Sequence, residues 1–178
     1  MKELFTIPMW QFDLTLNKEW PQKKKLLQNL NKKHPYKKSS YFDTNRDDTG
    51  HEFISTLSEI LTEPLNELSQ ELKMDLVITK GWSARFKKGD FIIIHKHASV
   101  GLSGTIYLNY DESIGHSRTI FKQPFPSYWN DHTLCKNPVI KEGALVIVPS
   151  HVEHFTLPNT SKVPKEIIGF DMMVNKPV

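Results

Sequence analysis

The order of apolar and polar positions divides the chain into a helical first part and a second part rich in strands. Apolar residues recur three or four positions apart, as on one face of an amphipathic helix, at Leu57, Ile60, Leu61, Leu65, Leu68 and Leu72. Pro64 would interrupt a single helix. The pattern therefore predicts two helices, with Thr62 as the cap of the second and the proline tolerated in its first turn.

The region before this apolar stripe combines short strands, a helix and a loop. Residues 4–16 predict one or two short strands broken near Pro8, and Asn17 suits the N-cap of a helix that carries Leu26, Leu27 and Leu30. The many lysines of that helix are interpreted as a solvated face, because arginine and interleaved aromatic residues are missing among them. The polar segment Ser39–Gly50 predicts a loop, either a lid or a connection, and its length favours a functional role.

From Leu76 onward, short apolar runs alternate with turn-forming residues. The predicted strands are residues 76–79, 82–86, 91–97, 102–110, 118–122, 139–141, 144–148 and 166–174. About eight strands after a helical part suggest an antiparallel sandwich or barrel with helices packed on one side. Residues 123–138, rich in proline and aromatics, suit a specificity loop at the mouth of such a barrel.

Composition narrows the class of protein. The chain has 178 residues and a formal net charge of +3, a near balance that argues against nucleic acid as an obligate partner. The single cysteine, Cys135, excludes an internal disulfide. No apolar run approaches the ~20 residues that span a bilayer, and no signal segment is apparent. We expect a soluble, cytoplasmic protein without a membrane partner, and a homodimer stays open.

Three histidines are the strongest chemical signal. His95 and His97 lie two positions apart at the end of an apolar run, so on a strand they share one face. A second apolar run is closed by Pro149 and followed by His154. Two neighbouring imidazoles and a third from a distant strand suit a first-row metal such as iron, zinc, copper or nickel. We favour metal binding over the alternative that His95 and His97 only form hydrogen bonds inside a barrel. His151 is predicted to lie at the surface.

These motifs resemble those of 2-oxoglutarate/Fe(II)-dependent oxygenases, particularly a group common in phages and marine bacteria. The most specific segments are His95-Lys-His97-Ala-Ser-Val-Gly-Leu-Ser-Gly-Thr-Ile-Tyr107-Leu-Asn, Glu142-Gly143-Ala-Leu-Val-Ile-Val-Pro149-Ser150, and His154. The resemblance implies a mainly β protein with an α-helical N-terminal part, folded as a double-stranded β-helix or jelly-roll barrel. We expect a single domain over residues 1–178, with residues 1–75 as mixed strand and helical support and residues 76–176 as the jelly-roll core.

The resemblance also implies roles for individual residues. His95 resembles the first iron ligand, His97 holds the position of the carboxylate ligand, and His154 resembles the distal ligand. Lys165 falls where an arginine usually binds the far carboxylate of 2-oxoglutarate. Fe(II), 2-oxoglutarate and O2 are thus the implied cofactor and co-substrates, and a C–H bond is hydroxylated. The substrate that receives the oxygen could be a small molecule, a protein side chain or a nucleotide.

One face of the predicted strand over residues 102–110 is unusually polar. Alternation puts four side chains on that face: Ser103, Thr105, Tyr107 and Asn109. A polar cavity holding a dicarboxylate would account for them, although a tyrosine at such a position is as often core as functional. With Lys165, we therefore assign Thr105, Tyr107 and Asn109 to the co-substrate site.

Two positions depart from the oxygenase pattern. His97 stands where most of these enzymes have Asp or Glu, which leaves a ferrous centre one unit more positive. Asp111 or Glu112 could supply a carboxylate, but both lie beyond the strand and we disfavour them. Lys165 can pair with a carboxylate but lacks the bidentate fork of arginine. Two arginines are open as substitutes for it, Arg85 and Arg118.

A second resemblance is to the cupins. The segment from Gly89 to His97 matches their first motif, Gly-x5-His-x-His, and their second motif is matched by Gly143, Pro149 and His154. The cupin glutamate is missing. This resemblance implies an alternative, a three-histidine dioxygenase or isomerase that does not use 2-oxoglutarate. A third alternative is a non-catalytic metal-binding or structural barrel. The Tyr107-Leu-Asn segment and the helical N-terminal part favour the oxygenase.

Overall fold

The computed structural model describes residues 6–33, 50–125, 133 and 135–175. No helix in these ranges is long and apolar enough to cross a membrane. The elements in chain order are β1 (Trp10–Asp13), α1 (Trp20–Lys33), α2 (Gly50–Ile60), α3 (Thr62–Leu72), β2 (Asp75–Phe86), β3 (Ile92–His95), β4 (Leu102–Asn109), β5 (Thr119–Lys122), β6 (Cys135–Lys136), β7 (Ala144–Pro149), β8 (His154–Thr156) and β9 (Lys165–Asn175).

Two antiparallel sheets form the body of the molecule. The larger sheet has the strand order β1-β7-β4-β9-β2, and the smaller has the order β3-β8-β5-β6. The helices pack on one face of the larger sheet, and the other face turns toward the smaller sheet. This is the predicted arrangement of a barrel with helices on one side.

The helices attach to the sheet through an apolar core. The predicted stripe is buried in this core, with Leu57, Leu61 and Leu68 fully covered and Leu72 packed at its margin. Phe53 of α2 lies against Gly81 of β2, where an added Cβ would come within 2.8 Å of the phenyl ring. The glycine therefore gives the aromatic ring room to reach the sheet, which explains a residue that otherwise weakens a strand interior.

A second core lies between the two sheets, and it positions the site. Along β4, Leu102, Ile106 and Leu108 pack toward the helices, whereas Tyr107 packs with Phe86 and Ile167 in the inner core. Because side chains alternate along a strand, the polar face predicted for β4 turns into the barrel. The smaller sheet covers it from the opposite side.

The structure corrects several predicted strand bounds. The predicted strands 76–79 and 82–86 form one strand, β2, with a bulge near Ile78. Residues 139–141 are not a strand: Pro138 cannot donate to a ladder, and Val139 is 89% exposed. Instead, β6 pairs with β5. The strand β8 was missing from the prediction because its three residues are too short for a visible period.

The helix starts also differ in detail from the prediction. The cap position of α3 is Leu61, and Thr62 is the first helical residue, whose hydroxyl donates to carbonyls of the preceding turn. Pro64 lies in the first turn, as predicted. Asn17 accepts a hydrogen bond from the Glu19 backbone N–H at 2.7 Å before α1 begins. Except for Gly50, the predicted loop Ser39–Gly50 lies outside the described residues.

The contact between α2 and β2 yields a stability prediction. Replacing fully buried Phe53 by alanine (Phe53→Ala) should lower the free energy of unfolding by about 3–5 kcal/mol, because a cavity opens above Gly81. As a control, Leu16→Ala removes a side chain that is 81% exposed and should change it by less than about 0.5 kcal/mol. Urea unfolding followed by tryptophan fluorescence measures both. Equal effects would show that the helix does not depend on this contact.

Candidate metal centre

The end of β3 and the start of β8 bring the predicted histidines together. His95 ends β3 and lies opposite His154, which begins β8. His97 lies two residues beyond β3, where its backbone N–H donates to the Ser150 carbonyl at 3.0 Å. One nitrogen from each ring falls within 4.8 Å of the others. Within the described ranges, this is the one group of three or more histidine, cysteine, aspartate or glutamate side chains close enough to hold a metal ion.

Hydrogen bonds on the outer side of each ring define the inner nitrogen. The Nδ1–H groups of His95 and His154 donate to the backbone carbonyls two residues earlier, at 2.9 and 3.1 Å. Nδ1 of His97 lies 2.9 Å from a carboxylate oxygen of Asp171. Carbonyl and carboxylate oxygens only accept, so each Nδ1 carries the proton and Nε2 holds the lone pair. A metal binds the imidazole ring in its neutral form, and in this orientation the nitrogen open to a metal is Nε2.

The inner nitrogens also lie unusually close together. Nε2 of His97 is 3.3 Å from Nε2 of His154. Two lone pairs at this separation repel each other unless a proton or a metal ion lies between them. The donor set therefore fits a metal that imidazole nitrogen binds well, and iron is among these metals.

Asp171 anchors the outer side of His97. Its carboxylate accepts from the His97 ring and, at 2.7 Å, from the Ser103 hydroxyl. Burial raises the pKa of the Asp171 carboxyl, but the hydrogen bonds from His97 and Ser103 outweigh this and hold its pKa below the ordinary value. Sequence reasoning missed Asp171. Alternation along β9 places it on the inner face with Lys165, but its partner His97 lies far away in the sequence, just beyond β3.

Trp82 covers the other side of His97. The two rings stack with their centroids 5.1 Å apart. A Cβ at Gly169 would overlap the indole, so glycine lets the ring lie directly over β9. The structure places Trp82 in the wall of the histidine group, where it limits the approach of water.

The polar face of β4 extends away from the histidines. In the register with β9, Ser103 lies opposite Asp171, half-buried Thr105 lies opposite Gly169, and Tyr107 follows one pleat further. The six-residue separation between Asp171 and Lys165 spans about 20 Å of strand. This face thus connects the histidines with Lys165.

Lys165 is a fully buried amine at the far end of this face. Nζ donates to the Ser117 carbonyl at 3.0 Å and lies 4.2 Å from the centre of the Phe86 ring. Lys165 forms no ion pair within the described parts of the chain. Burial lowers the pKa of its amine to about 7. A buried cation with neutral neighbours is a suitable partner for a ligand carboxylate.

The other predicted co-substrate residues lie near this end. The Tyr107 hydroxyl donates to Thr119 Oγ1 at 2.6 Å, and burial raises its pKa. Asn109 donates to the Pro164 carbonyl at 2.7 Å and thereby holds the chain just before Lys165. Tyr110, which sequence reasoning missed, packs in the same inner core, and its buried hydroxyl has no hydrogen-bond partner among the described residues. Burial raises the pKa of Tyr110 to about 12.

The alternative charged residues have partners elsewhere. Asp111 accepts hydrogen bonds from Ser113, and Glu112 pairs with Arg118. Neither carboxylate belongs to the histidine group. The Arg85 guanidinium is 58% exposed and pairs with Glu166. Lys165 is therefore the buried cation of the inner face.

A cleft of about 600 Å³ lies beside Phe121 of β5. Its lining is mainly apolar and includes Phe121, whose ring centre lies 5.6 Å from that of His154. Described residues of the predicted loop 123–138 form part of the wall, including Phe125 and Pro138. The three histidines do not line this cleft, and Phe121 connects its wall with His154.

The chain matches a known protein family over the part that contains the site. A family model described as "Putative 2OG-Fe(II) oxygenase" matches residues 80–171, more than half of the chain and a range that contains the histidines and Lys165. No curated protein matches.

Solved structures share the architecture at low identity. A prolyl-4-hydroxylase from Pseudomonas putida is 15% identical, with a TM-score of 0.57, over 93% of this chain and 88% of the other. The viral collagen prolyl hydroxylase of Paramecium Bursaria Chlorella virus-1, in its 2OG complex, is 18% identical, with a TM-score of 0.60, over 92% and 94%. The alpha-ketoglutarate-dependent epimerase SnoN from nogalamycin biosynthesis is 11% identical, with a TM-score of 0.68, over 93% and 77%. The predicted jelly-roll fold is confirmed.

The histidine group yields a metal-binding prediction. His154→Ala should weaken Co(II) or Fe(II) binding by more than about 100-fold, since losing an outer partner of a ligand alone costs up to that much. His151→Ala, an exposed histidine three positions away, is the matched control and should bind as the wild type does. Anaerobic calorimetry with the metal alone measures both variants. Equal loss in the two variants would contradict the assignment of His154.

Proposed function

Since the chain belongs to the 2OG-Fe(II) oxygenase family, we propose that it hydroxylates a C–H bond of a substrate bound in the cleft beside Phe121. Its cofactors are Fe(II) and 2-oxoglutarate. When bound, they supply the oxidation, in which 2-oxoglutarate, O2 and the substrate become succinate, CO2 and the hydroxylated product. The observation that carries the proposal is the convergence of three imidazole nitrogens, one from each ring, at one end of a polar barrel interior.

The proposed iron ligands are His95, His97 and His154. Their proton-bearing nitrogens are held from behind, so the lone pairs are already directed inward before a metal binds. Three protein ligands leave other coordination positions for co-substrate and O2, as an oxidation catalyst requires. The role of Trp82 is to keep water away from one side of this group.

We assign the binding of 2-oxoglutarate to the inner face of the larger sheet. Lys165 would pair with the carboxylate that is remote from the metal, because it is a buried cation whose two hydrogen-bond acceptors belong to neutral Ser117. Thr105 and Tyr107 would line the path between the two ends, and Asn109 would fix the backbone from which Lys165 extends. The Tyr110 hydroxyl is a further donor for the same end.

Hydroxylation is our choice among the reactions that this fold supports. The similar structures include prolyl hydroxylases and also an epimerase and a carbocyclase. An apolar cleft whose wall includes Phe121, a ring neighbour of His154, suits a substrate presented from outside the barrel. The three-histidine donor set favours a second candidate, a dioxygenase of the cupin type that does not use 2-oxoglutarate.

Anaerobic addition of Fe(II) and 2-oxoglutarate distinguishes these candidates. We expect a visible metal-to-ligand charge-transfer band that needs both additions, because 2-oxoglutarate would chelate the iron. Lys165→Met should weaken the binding of 2-oxoglutarate, so that a higher concentration is needed to form the band. Lys162→Met, an exposed control, should leave that concentration unchanged. Iron binding without a band would favour the cupin-type candidate. Absence of iron binding would contradict both.

The buried amine predicts how 2-oxoglutarate affinity depends on pH. Below pH about 7, Lys165 is already protonated, and the affinity should be flat with respect to this group. Above that pH, binding must take up a proton, so the affinity should fall by up to about tenfold per pH unit. Titration of the charge-transfer band at several pH values from neutral upward measures the slope. Lys165→Arg should abolish it, because arginine stays charged; a slope retained in this variant would assign the proton to another group.

A further inference from the structure

The proposed ligand set contains no carboxylate, yet a carboxylate lies directly behind one of its members. Three neutral imidazoles would leave the two positive charges of Fe(II) uncompensated by the protein. We propose that Asp171 supplies the missing negative charge through His97, as a positioning residue that does not itself bind the metal. This inference rests on the proposed function and assigns a role to the residue with which β9 approaches the site.

The contact between Asp171 and His97 is short and sheltered. Nδ1 of His97 lies 2.9 Å from the carboxylate, and the two side chains are only 11% and 20% exposed. The other two proposed ligands donate instead to backbone carbonyls, which carry no charge. His97 therefore differs from the other two by having an anion behind it. It is also the residue at the position where the resemblance implies a carboxylate.

A network of hydroxyl groups holds the Asp171 carboxylate in place. Ser103 donates to it at 2.7 Å and lies 2.8 Å from the Ser150 hydroxyl. The Ser150 carbonyl accepts from the His97 backbone N–H at 3.0 Å. The same short segment after β7 thus fixes both the backbone of His97 and, through Ser103, the anion behind its ring. The ring has little freedom to turn away from the carboxylate.

This arrangement changes where the negative charge lies without changing its amount. His95, His97, His154 and Asp171 together carry one negative charge, as two histidines and an aspartate ligand would. A carboxylate behind an imidazole makes the ring a stronger donor to a metal, and loss of such partners typically lowers metal affinity by about 10–100-fold. The negative charge that a carboxylate ligand would bring to the metal thus lies on Asp171, behind the His97 ring.

Asp171→Asn tests this role, because it keeps the shape and removes the charge. We expect Fe(II) affinity, measured anaerobically by competition with a coloured chelator, to fall by about 10–100-fold. The control Asp75→Asn removes an exposed carboxylate at the start of β2 and should leave the affinity within about twofold of the wild type. This measurement needs neither 2-oxoglutarate nor turnover.

A second variant separates charge from structure. In His97→Asp/Asp171→Asn, a carboxylate becomes a ligand and the group behind it is neutral, so the total charge returns to the wild-type value. We expect Fe(II) affinity to recover to within about threefold of the wild type, as coupled residues allow. If Asp171 only held the strands together, the double variant would bind as weakly as Asp171→Asn or more weakly. Ser103→Ala keeps the Asp171 carboxylate but removes the hydrogen bond that holds it. This variant should lose less Fe(II) affinity than Asp171→Asn.

The outcomes distinguish this inference from the proposed function. Wild-type protein that binds no Fe(II) would overturn the proposed function and the role of Asp171 with it. Wild-type protein that binds Fe(II), together with an Asp171→Asn variant within twofold of it, would overturn the inference alone. Should Asp171→Asn fail to fold by circular dichroism, Ser103→Ala decides, because unchanged Fe(II) affinity in that variant contradicts the proposal.

Discussion

The antiparallel register between β4 and β9 is the constraint on which the candidate site depends. It places Ser103 opposite Asp171 and Thr105 opposite Gly169, so that the polar residues of both strands face the interior together. A shift of one residue would turn every one of these side chains toward the helices and bring Phe170 into the barrel. The packing of Phe170 over Gly104 on the helix side resists that shift, because any side chain at position 104 would overlap the ring.

The features that the sequence predicted correctly are patterns among residues close together in the chain. The spacing of His95 and His97, the proline before His154 and the alternation along residues 102–110 are all visible within a few positions, and the structure brings those residues to the barrel interior. The roles of Asp171 and Trp82 depend on the pairing of β9 with β2 and β4, which no local period reveals. The strand predicted at 139–141 was wrong for a related reason, since Ile140 is buried without joining a ladder while Val139 beside it is exposed.

Burial of the Lys165 amine costs free energy, because the charged group loses its water. Its amine gives up water for two oxygens of Ser117 and the face of the Phe86 ring. Neutral partners compensate an ammonium group only partly, so its pKa falls. Positions at which a fold tolerates such a group without an internal counter-ion are commonly functional. A lysine also adapts here better than an arginine, because it can lose its proton when no anion is bound.

The two ends of the barrel interior therefore carry opposite arrangements of charge. At the histidine end, a bound cation would be balanced in part by Asp171, and at the other end Lys165 has no anion of the protein beside it in the described residues. A ligand with two carboxylates suits this interior only if one group reaches the metal while the other reaches the amine. Under the proposed function, a monocarboxylate would therefore satisfy one end and leave the other uncompensated.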